Sequence, residues 1–326
     1  MTEAALEVRD LTVRFTLAGA RHRVLQAVTE VSFSVPRGET LGIVGESGSG
    51  KSTIARALLR LVPASAGVAW FKGVDLLALK HEPLRAMREH LQIIFQDPLA
   101  SLDPRMRVAQ IIEEPLLEFR PQLNPQARRT LVLATMERVG LLHSHLNRFP
   151  HEFSGGQAQR IGIARALVLE PELLVCDEPI SALDVSIKSQ IANLLKDLQR
   201  QLHLSVLFIA HDLAAVRFSC ERVLVLYLGR VMEIAPRDAL FSAPRHPYTR
   251  ALLQSVPIPD PRRARARREA PIGGEIPSPL APPSGCVFRT RCPIAQARCA
   301  EEIPQLRKIG DSEVACHRAG EPGLGL

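Results

Sequence analysis

An α/β fold, with a mainly parallel sheet covered by helices on both faces, is predicted by three features of this 326-residue sequence. A short apolar run at 40–44 leads into a glycine-rich loop at 45–52, and helical periodicity follows at 53–62. A second apolar run at 173–176 ends in two carboxylates. Further apolar runs of strand length alternate with helical stretches, which is the pattern of parallel strands joined by crossover helices.

The other elements follow from the same periodicities. We predict strands at 6–15, 31–35, 41–44, 68–72, 91–95, 173–176, 205–209 and 223–227. We predict helices at 53–62, 157–169 and 185–200, and a helical region at 106–148 with a break at 121–125. The first two strands are expected to be joined by a loop around 19–21 and to form an added antiparallel layer.

The glycine-rich loop has the residue types that bind a triphosphate. It fits G-x-x-x-x-G-K-[ST] with Gly45, Glu46, Ser47, Gly48, Ser49, Gly50, Lys51 and Ser52, and Thr53 follows. Glycines let successive backbone N–H groups point at phosphate oxygens. Lys51 can reach the β- and γ-phosphates of ATP, and the Ser52 hydroxyl can hold Mg²⁺. A turn without a ligand is the weaker interpretation, because the strand, the lysine, the hydroxyl and the helix are all in place.

The two carboxylates after the second apolar run are predicted to complete the site. Ligands of parallel α/β sheets gather beyond the carboxyl ends of strands, so Asp177 and Glu178 should face the phosphate loop. Asp177 is the expected partner of Mg²⁺. Glu178 is placed to orient or deprotonate the attacking water as a general base.

Four more motifs complete the pattern. They are Gln96 after an apolar run, Ser154-Gly155-Gly156-Gln157, Asp184 in Ser181-Ala182-Leu183-Asp184, and His211 after Leu207-Phe208-Ile209-Ala210. With these motifs, nearly the whole chain resembles the nucleotide-binding subunits of ABC transporters. The resemblance implies a P-loop NTPase fold of the ABC type, with a mainly parallel sheet core, an antiparallel β layer and a helical subdomain at about 100–165.

The resemblance also implies roles for these residues. Gln96 would touch the metal shell and sense the membrane partner, and His211 would contact the γ-phosphate. The Ser154–Gln157 signature of one subunit would close over ATP held by another, with Ser154 as N-cap of the next helix. Asp184 would belong to the D-loop. Phe15 lies where an aromatic stacks on adenine, but its alternation with apolar residues fits a strand core residue equally well.

Composition limits the other function classes. The net charge of +7 comes largely from five arginines between 262 and 268, and only 4% of residues are aromatic. Stacking platforms for bases are therefore scarce, and a solvated linker or contact with anionic lipid heads fits better than nucleic acid. No apolar run approaches the roughly 18–20 residues that span a bilayer. The first residues lack the features of a secretory signal, so we expect a cytosolic protein.

The sequence changes character at 257, where prolines leave little room for regular structure. We therefore predict an ATP-binding domain at 1–256 and a small irregular region at 257–326. Segment 246–249, just before this region, and segments 274–279 and 285–293 within it resemble the C-terminal region of oligopeptide/dipeptide importer ATPases. Segments 94–105 and 151–157 resemble the second of the two paired ATPases in that family.

Four cysteines lie in this C-terminal region, Cys286, Cys292, Cys299 and Cys316. Disulfides are disfavoured in a reducing cytosol. The spacing C-x5-C-x6-C-x16-C leaves zinc and an iron–sulfur cluster both open, and the resemblance favours a [4Fe–4S] cluster. Cys176 and Cys220 lie in apolar surroundings and are expected to be packed.

We therefore expect the ATP-hydrolysing subunit of a peptide importer, using ATP and Mg²⁺ at the cytoplasmic face of the inner membrane. The expected partners are a paired ABC ATPase subunit in a heterodimer, two membrane-spanning permeases and, indirectly, an external binding protein. The alternative is a soluble ABC ATPase acting in translation or DNA repair. The cargo would be selected by the permeases and the binding protein, and dipeptides, longer peptides, glutathione and nickel complexes all stay open.

Overall fold

The computed structural model of the chain describes residues 4–16, 24–255 and 273–321. The predicted loop at 19–21 and the arginine-rich stretch at 262–268 lie outside the described residues. The chain divides into two compact units. The first comprises Met1–Glu7, Ser34–Thr40 and Ala69–Ala210, and the second comprises Val8–Phe33, Leu41–Val68 and His211–Leu326.

The elements follow the predicted alternation of strands and helices. The strands are β1 (Ala4–Thr16), β2 (Val24–Pro36), β3 (Thr40–Val44), β4 (Ala66–Phe71), β5 (Val74–Asp75), β6 (Leu91–Ile94), β7 (Leu173–Asp177), β8 (Ser205–Ile209), β9 (Arg222–Tyr227), β10 (Arg230–Pro236), β11 (Arg307–Ile309) and β12 (Ser312–Val314). The helices are α1 (Lys51–Leu58), α2 (His81–His90), α3 (Val108–Phe119), α4 (Pro125–Arg138), α5 (Gly155–Leu167), α6 (Val185–Leu202), α7 (Leu213–Ser219), α8 (Arg237–Ser242), α9 (Pro247–Gln254) and α10 (Arg298–Glu301). Short 3-10 turns lie at His143–His145 and Pro150–Glu152.

The first unit contains a parallel sheet in which β7 lies between β6 and β8. Every residue of β7 is buried, as expected for a central strand with both faces covered. In this register Cys176 lies opposite Ile94, and Asp177 lies opposite Ile209. The predicted parallel core is confirmed here, and it brings the carboxyl ends of the three strands to one edge.

The second unit combines parallel and antiparallel pairs. β3 runs parallel to β9, and β9 forms an antiparallel hairpin with β10. β12 pairs antiparallel with β10 and with β11. β1 and β2 are neighbours in a separate sheet, and this accords with the predicted extra β layer.

The helical region between β6 and β7 is confirmed, including its break. α3, α4 and α5 contact one another within the first unit. α4 starts sharply because Asn124 accepts a hydrogen bond from the Ala127 N–H and Pro125 occupies the first helical turn. The predicted interruption at 121–125 is therefore the loop that separates α3 from α4.

The expectation that the C-terminal region has little regular structure is partly wrong. Much of 273–321 is irregular, but it also contains α10 and the β11–β12 hairpin. It buries apolar side chains as well, including Phe288 and Val314. Part of the reason is tertiary, since β12 pairs with the distant β10 as well as with its sequence neighbour β11.

None of the helices in the described ranges combines the length and apolar character that crossing a bilayer requires.

Candidate functional site

The predicted site residues are divided between the two units. The second unit holds Phe15, the phosphate loop (Gly45, Glu46, Ser47, Gly48, Ser49, Gly50, Lys51, Ser52 and Thr53), His211 and the cysteines Cys286, Cys292, Cys299 and Cys316. The first unit holds Gln96, Ser154, Gly155, Gly156, Gln157, Asp177, Glu178 and Asp184.

The phosphate loop joins β3 to α1 as predicted. Its last glycine, Gly50, is the N-cap of α1 and has a left-handed backbone, with φ of 105°. As a glycine, Gly50 provides no side-chain cap for this helix. Because the first N–H groups of a helix lack intrahelical acceptors, the start of α1 presents backbone donors at the end of the loop.

Two glycines of the loop lie directly against other backbone segments. A Cβ added at Gly45 would lie 2.1 Å from the Leu226 carbonyl oxygen, and one at Gly50 would lie 2.3 Å from the Ala27 carbonyl oxygen. No other residue type fits such approaches without displacing the backbone. The loop is thus held by β2 and by the end of β9.

The polar side chains of the loop suit an anion. The Ser49 hydroxyl is buried and has no hydrogen-bond partner within the described chain. Lys51 as a whole is 4% exposed, and its ammonium lies 3.0 Å from each of the Gly45 and Glu46 carbonyl oxygens. A buried cation and an unsatisfied hydroxyl beside a helix start are what phosphate oxygens would satisfy.

Two residues far along the chain, Tyr248 and Arg291, hold Glu46, and neither was predicted as a site residue. The Arg291 guanidinium forms two hydrogen bonds with the Glu46 carboxylate, and the Tyr248 hydroxyl accepts one from the Glu46 N–H. Both residues lie in segments already noted for their resemblance to peptide-importer ATPases. That resemblance was the available signal, but local periodicity gives no hint of a contact between residues 46 and 291.

The two carboxylates predicted to complete the site, Asp177 for Mg²⁺ and Glu178 as general base, lie at the carboxyl end of β7. Asp177 is 2% exposed. Glu178 follows it with φ of 49°, a left-handed conformation that costs a non-glycine residue about 1 kcal/mol. Its N–H donates to the Ile209 carbonyl at 2.9 Å. The Gln96 amide donates to the Glu178 carboxylate at 3.0 Å, so the structure brings these two predicted residues together.

The Ser154–Gln157 segment starts α5 as predicted. Ser154 is its N-cap, and Ser154 and Gln157 form a reciprocal capping box. A Cβ added at Gly156 would lie 2.5 Å from the Ile187 Cγ2 atom of α6, and one at Gly155 would lie 3.3 Å from Leu183. The signature glycines therefore allow close packing against the start of α6.

Three predicted residues lie at element ends. Asp184 is the N-cap of α6, without a side-chain capping hydrogen bond. Phe15 is half-buried near the end of β1, and His211 is exposed just after β8. The roles given to these residues stay predictions.

The four C-terminal cysteines line one pocket together with His246 and His317. All four are free thiols. Burial raises the pKa of Cys286 and of Cys292 to about 11 each. Within the ranges that the structure describes, no three His, Cys, Asp or Glu side chains are grouped as the ligands of a metal ion. The expected iron–sulfur cluster therefore stays a prediction. The packed positions expected for Cys176 and Cys220 are confirmed, since both are fully buried.

Two family models match the chain. The ABC transporter family matches residues 28–181, and the family described as oligopeptide/dipeptide transporter, C-terminal region, matches residues 232–299. The oligopeptide transport ATP-binding protein OppF of Salmonella typhimurium is 53% identical over 318 residues, covering 95% of each chain. The chain belongs to the ABC transporter ATP-binding proteins.

Other ABC transporter relatives agree. A protein of Sinorhizobium fredii named as a probable peptide ABC transporter ATP-binding protein is 48% identical and covers 97% of this chain and 90% of its own. The dimeric ATP-binding cassette MJ0796, solved in a post-hydrolysis state with ADP and Pi, is 28% identical. It covers 71% of this chain and 98% of its own with a TM-score of 0.65. The structure of cbiO1 from Clostridium perfringens gives a TM-score of 0.64 at 27% identity, over 73% and 91% of the two chains.

The matches confirm the predicted family and the P-loop α/β fold, and they do not favour a soluble ABC ATPase of translation or DNA repair. The proposed domain boundaries and the individual site residues stay predictions.

Proposed function

We propose that this chain is the ATP-hydrolysing subunit that energises the import of di- and oligopeptides through a membrane ABC transporter. The observation that carries the proposal is the likeness to OppF of Salmonella typhimurium, which extends over 95% of both chains and includes the C-terminal region. The geometry of the phosphate loop and of the β7 carboxylates supplies the chemistry.

The phosphate loop would bind the triphosphate. The unsatisfied Ser49 hydroxyl, the Lys51 ammonium and the uncapped start of α1 all favour an anion. The predicted metal set fits Mg²⁺ in its chemistry, because Ser52, Gln96 and Asp177 offer the oxygen donors that this ion prefers. When bound, Mg²⁺ would neutralise charge on the phosphate oxygens.

Glu178 would orient or deprotonate the attacking water. Its left-handed backbone and its N–H bond to Ile209 fix where the carboxylate begins. The Gln96 amide then holds one carboxylate oxygen, and the carboxylate would take the proton of the attacking water. His211 would contact the γ-phosphate, and Phe15 would lie against adenine.

Glu178→Gln tests the base assignment. The amide keeps the shape of the carboxylate but cannot accept the proton, so we expect ATP binding to persist while turnover falls about 10²–10⁴-fold. The measurement is phosphate release beside equilibrium binding of a fluorescent ATP analogue. Turnover at the unmodified rate in this variant would refute the role of Glu178.

The complete transporter would contain a second ATPase subunit and two permeases, and an external binding protein would deliver the cargo to the permeases. The Ser154–Gln157 segment and Asp184 would face the nucleotide of the paired subunit, giving a heterodimer attached to the cytoplasmic face of the inner membrane. Co-purification with multi-span permeases, rather than with ribosomes or DNA, tests this assembly.

The cysteine pocket would hold a [4Fe–4S] cluster. Support comes from four free thiols that line one pocket and from thiolate being the usual ligand of such clusters. Anaerobically purified protein should then be brown and contain iron and acid-labile sulfide. Colourless protein with stoichiometric zinc would overturn the cluster.

A further inference from the structure

A partly buried ion pair ties the C-terminal region to the phosphate loop. The Arg291 Nη1 and Nη2 atoms lie 2.7 Å and 3.1 Å from the two carboxylate oxygens of Glu46. This forked geometry is the strongest arrangement available to an arginine and a carboxylate. The Arg291 side chain is only 6% exposed, and that of Glu46 is 23% exposed. The pair is therefore shielded from solvent far better than a surface salt bridge.

The position of Arg291 is itself fixed by its surroundings. Its guanidinium lies 5.8 Å from the centre of the Tyr227 ring and 3.4 Å from the Tyr227 hydroxyl. Phe288, three residues earlier, packs against the rings of Tyr227 and Tyr248. The hydrogen bond with Glu46 raises the pKa of Arg291, so the guanidinium stays charged.

Every polar group of Glu46 is engaged. Its carboxylate accepts from Arg291, its N–H donates to the Tyr248 hydroxyl at 3.0 Å, and its carbonyl accepts from Lys51 at 3.0 Å. Lys51 is the residue expected to reach the β- and γ-phosphates. Because the Lys51 ammonium donates to the Glu46 carbonyl, the position of Glu46 helps to set the position of that ammonium.

The charge of Glu46 needs this partner. A carboxylate in the loop that receives a polyanion opposes binding by direct repulsion, and an unpaired one would also compete with phosphate for the Lys51 ammonium. The Arg291 guanidinium neutralises the repulsion between the carboxylate and the polyanion. It also holds the carboxylate, so that the Lys51 ammonium is left to the phosphate.

We propose that Arg291 is a positioning residue for nucleotide binding, which neutralises and orients Glu46 from the C-terminal region. The proposal rests on the phosphate loop being the ATP site, as put forward above. It gives the C-terminal region a direct part in ATP affinity that does not depend on what the cysteines hold.

The test measures binding of mant-ATP with Mg²⁺ to the full chain and to its variants. Arg291→Gln leaves an unpaired carboxylate in the loop, so we expect the Kd to rise about 10-fold. Because this effect is a charge effect, the ratio to the unmodified protein should shrink as salt is raised from low to about 1 M. Arg291→Lys keeps the positive charge but not the two-pronged hydrogen bonding, so its Kd should lie between those of the unmodified protein and Arg291→Gln.

A substitution of Glu46 distinguishes a positioning role of Arg291 from simple stabilisation of the fold. Glu46→Gln removes the charge that Arg291 neutralises, so the double variant Glu46→Gln/Arg291→Gln should bind more tightly than Arg291→Gln alone. If the pair served only to stabilise the fold, the double variant would bind nucleotide no more tightly than either single variant. Binding by the double variant that is as weak as by Arg291→Gln, or a defect insensitive to salt, would overturn the proposal.

Two controls separate the possible failures. Arg298→Gln breaks a comparable but exposed arginine–carboxylate pair with Glu302 in the same region, and it should leave the Kd unchanged. Lys51→Ala should abolish binding if the loop is the nucleotide site. Unmodified affinity in Arg291→Gln beside lost binding in Lys51→Ala would sink only the role of Arg291. No effect of Lys51→Ala would sink the assignment of the site itself.

Discussion

Two glycine-rich segments of this chain start helices, and the two starts are completed differently. The phosphate loop ends at Gly50, which provides no side-chain cap for α1. The signature segment begins at Ser154, which shares a capping box with Gln157 at the start of α5. The N–H groups of α1 are thus left for something other than a capping side chain, whereas one of α5 already has an acceptor inside the chain.

The glycines of the two segments differ as well. Gly45 and Gly50 are required by carbonyl groups of the neighbouring strands β9 and β2, whereas Gly156 is required by the Ile187 side chain. Backbone cannot move aside without breaking its own hydrogen bonds, but a side chain can rotate. We therefore expect the phosphate loop to be a rigid cradle, enclosed by backbone that cannot shift, and the Ser154–Gln157 segment to tolerate more change, because it packs against a side chain. Three substitutions test this contrast.

Gly50→Ala should have the largest effect. The new Cβ would lie 2.3 Å from the Ala27 carbonyl oxygen and would sit on a left-handed backbone, so we expect a loss of about 3 kcal/mol in the free energy of unfolding. Nucleotide binding should disappear with it. Gly48→Ala is the matched control, because its backbone is also left-handed but nothing lies within 4 Å of the added Cβ. It should lose only about 1 kcal/mol. Equal losses in urea unfolding would contradict a rigid cradle.

Gly156→Ala should have an intermediate effect. The added Cβ would lie 2.5 Å from Ile187 Cγ2, and the expected net loss is about 1–2 kcal/mol because the helix gains from alanine while the contact is overpacked. Gly162→Ala, in the same helix with open space at its Cβ, should instead gain about 0.5–1 kcal/mol. Adding Ile187→Ala to Gly156→Ala should recover part of the loss. A Gly156→Ala protein as stable as Gly162→Ala would show that Ile187 does not constrain this glycine.

Ser154→Ala should have the smallest effect on stability. Losing the cap of α5 should cost about 1 kcal/mol, and Ser154→Asp, which keeps an acceptor, should cost less. Thermal unfolding of the two variants measures the difference. If alanine and aspartate behave alike, the capping box does not hold this helix start.

Much of the site could be predicted because its determinants are local. A strand, a glycine-rich loop and a helix in succession fix the phosphate loop at 45–52, and an apolar strand ending in carboxylates fixes the position of Asp177 and Glu178. The capping role of Ser154 also follows from the few residues after it. Each of these features is written within about ten residues of sequence.

The features that could not be predicted depend on distant residues. Arg291 and Glu46 lie 245 positions apart, and no periodicity relates them. The helix α2 was missed because it is short, mostly polar and has no fully buried residue, so its apolar stripe is too brief to stand out in the sequence. Gln96 was predicted as a site residue, but its hydrogen bond to Glu178 follows from two adjacent parallel strands and not from the residues around either side chain.

The pairing of β12 with β10 means that the chain should not be truncated at the domain border predicted between residues 256 and 257. A product that stopped before residue 273 would present the unpaired outer edge of β10, which invites association with other chains. It would also lose the aromatic neighbour that Phe288 provides for Tyr227 and Tyr248. Chimeras that exchange tails between relatives should therefore carry a matching β10 with each tail if they are to stay in solution.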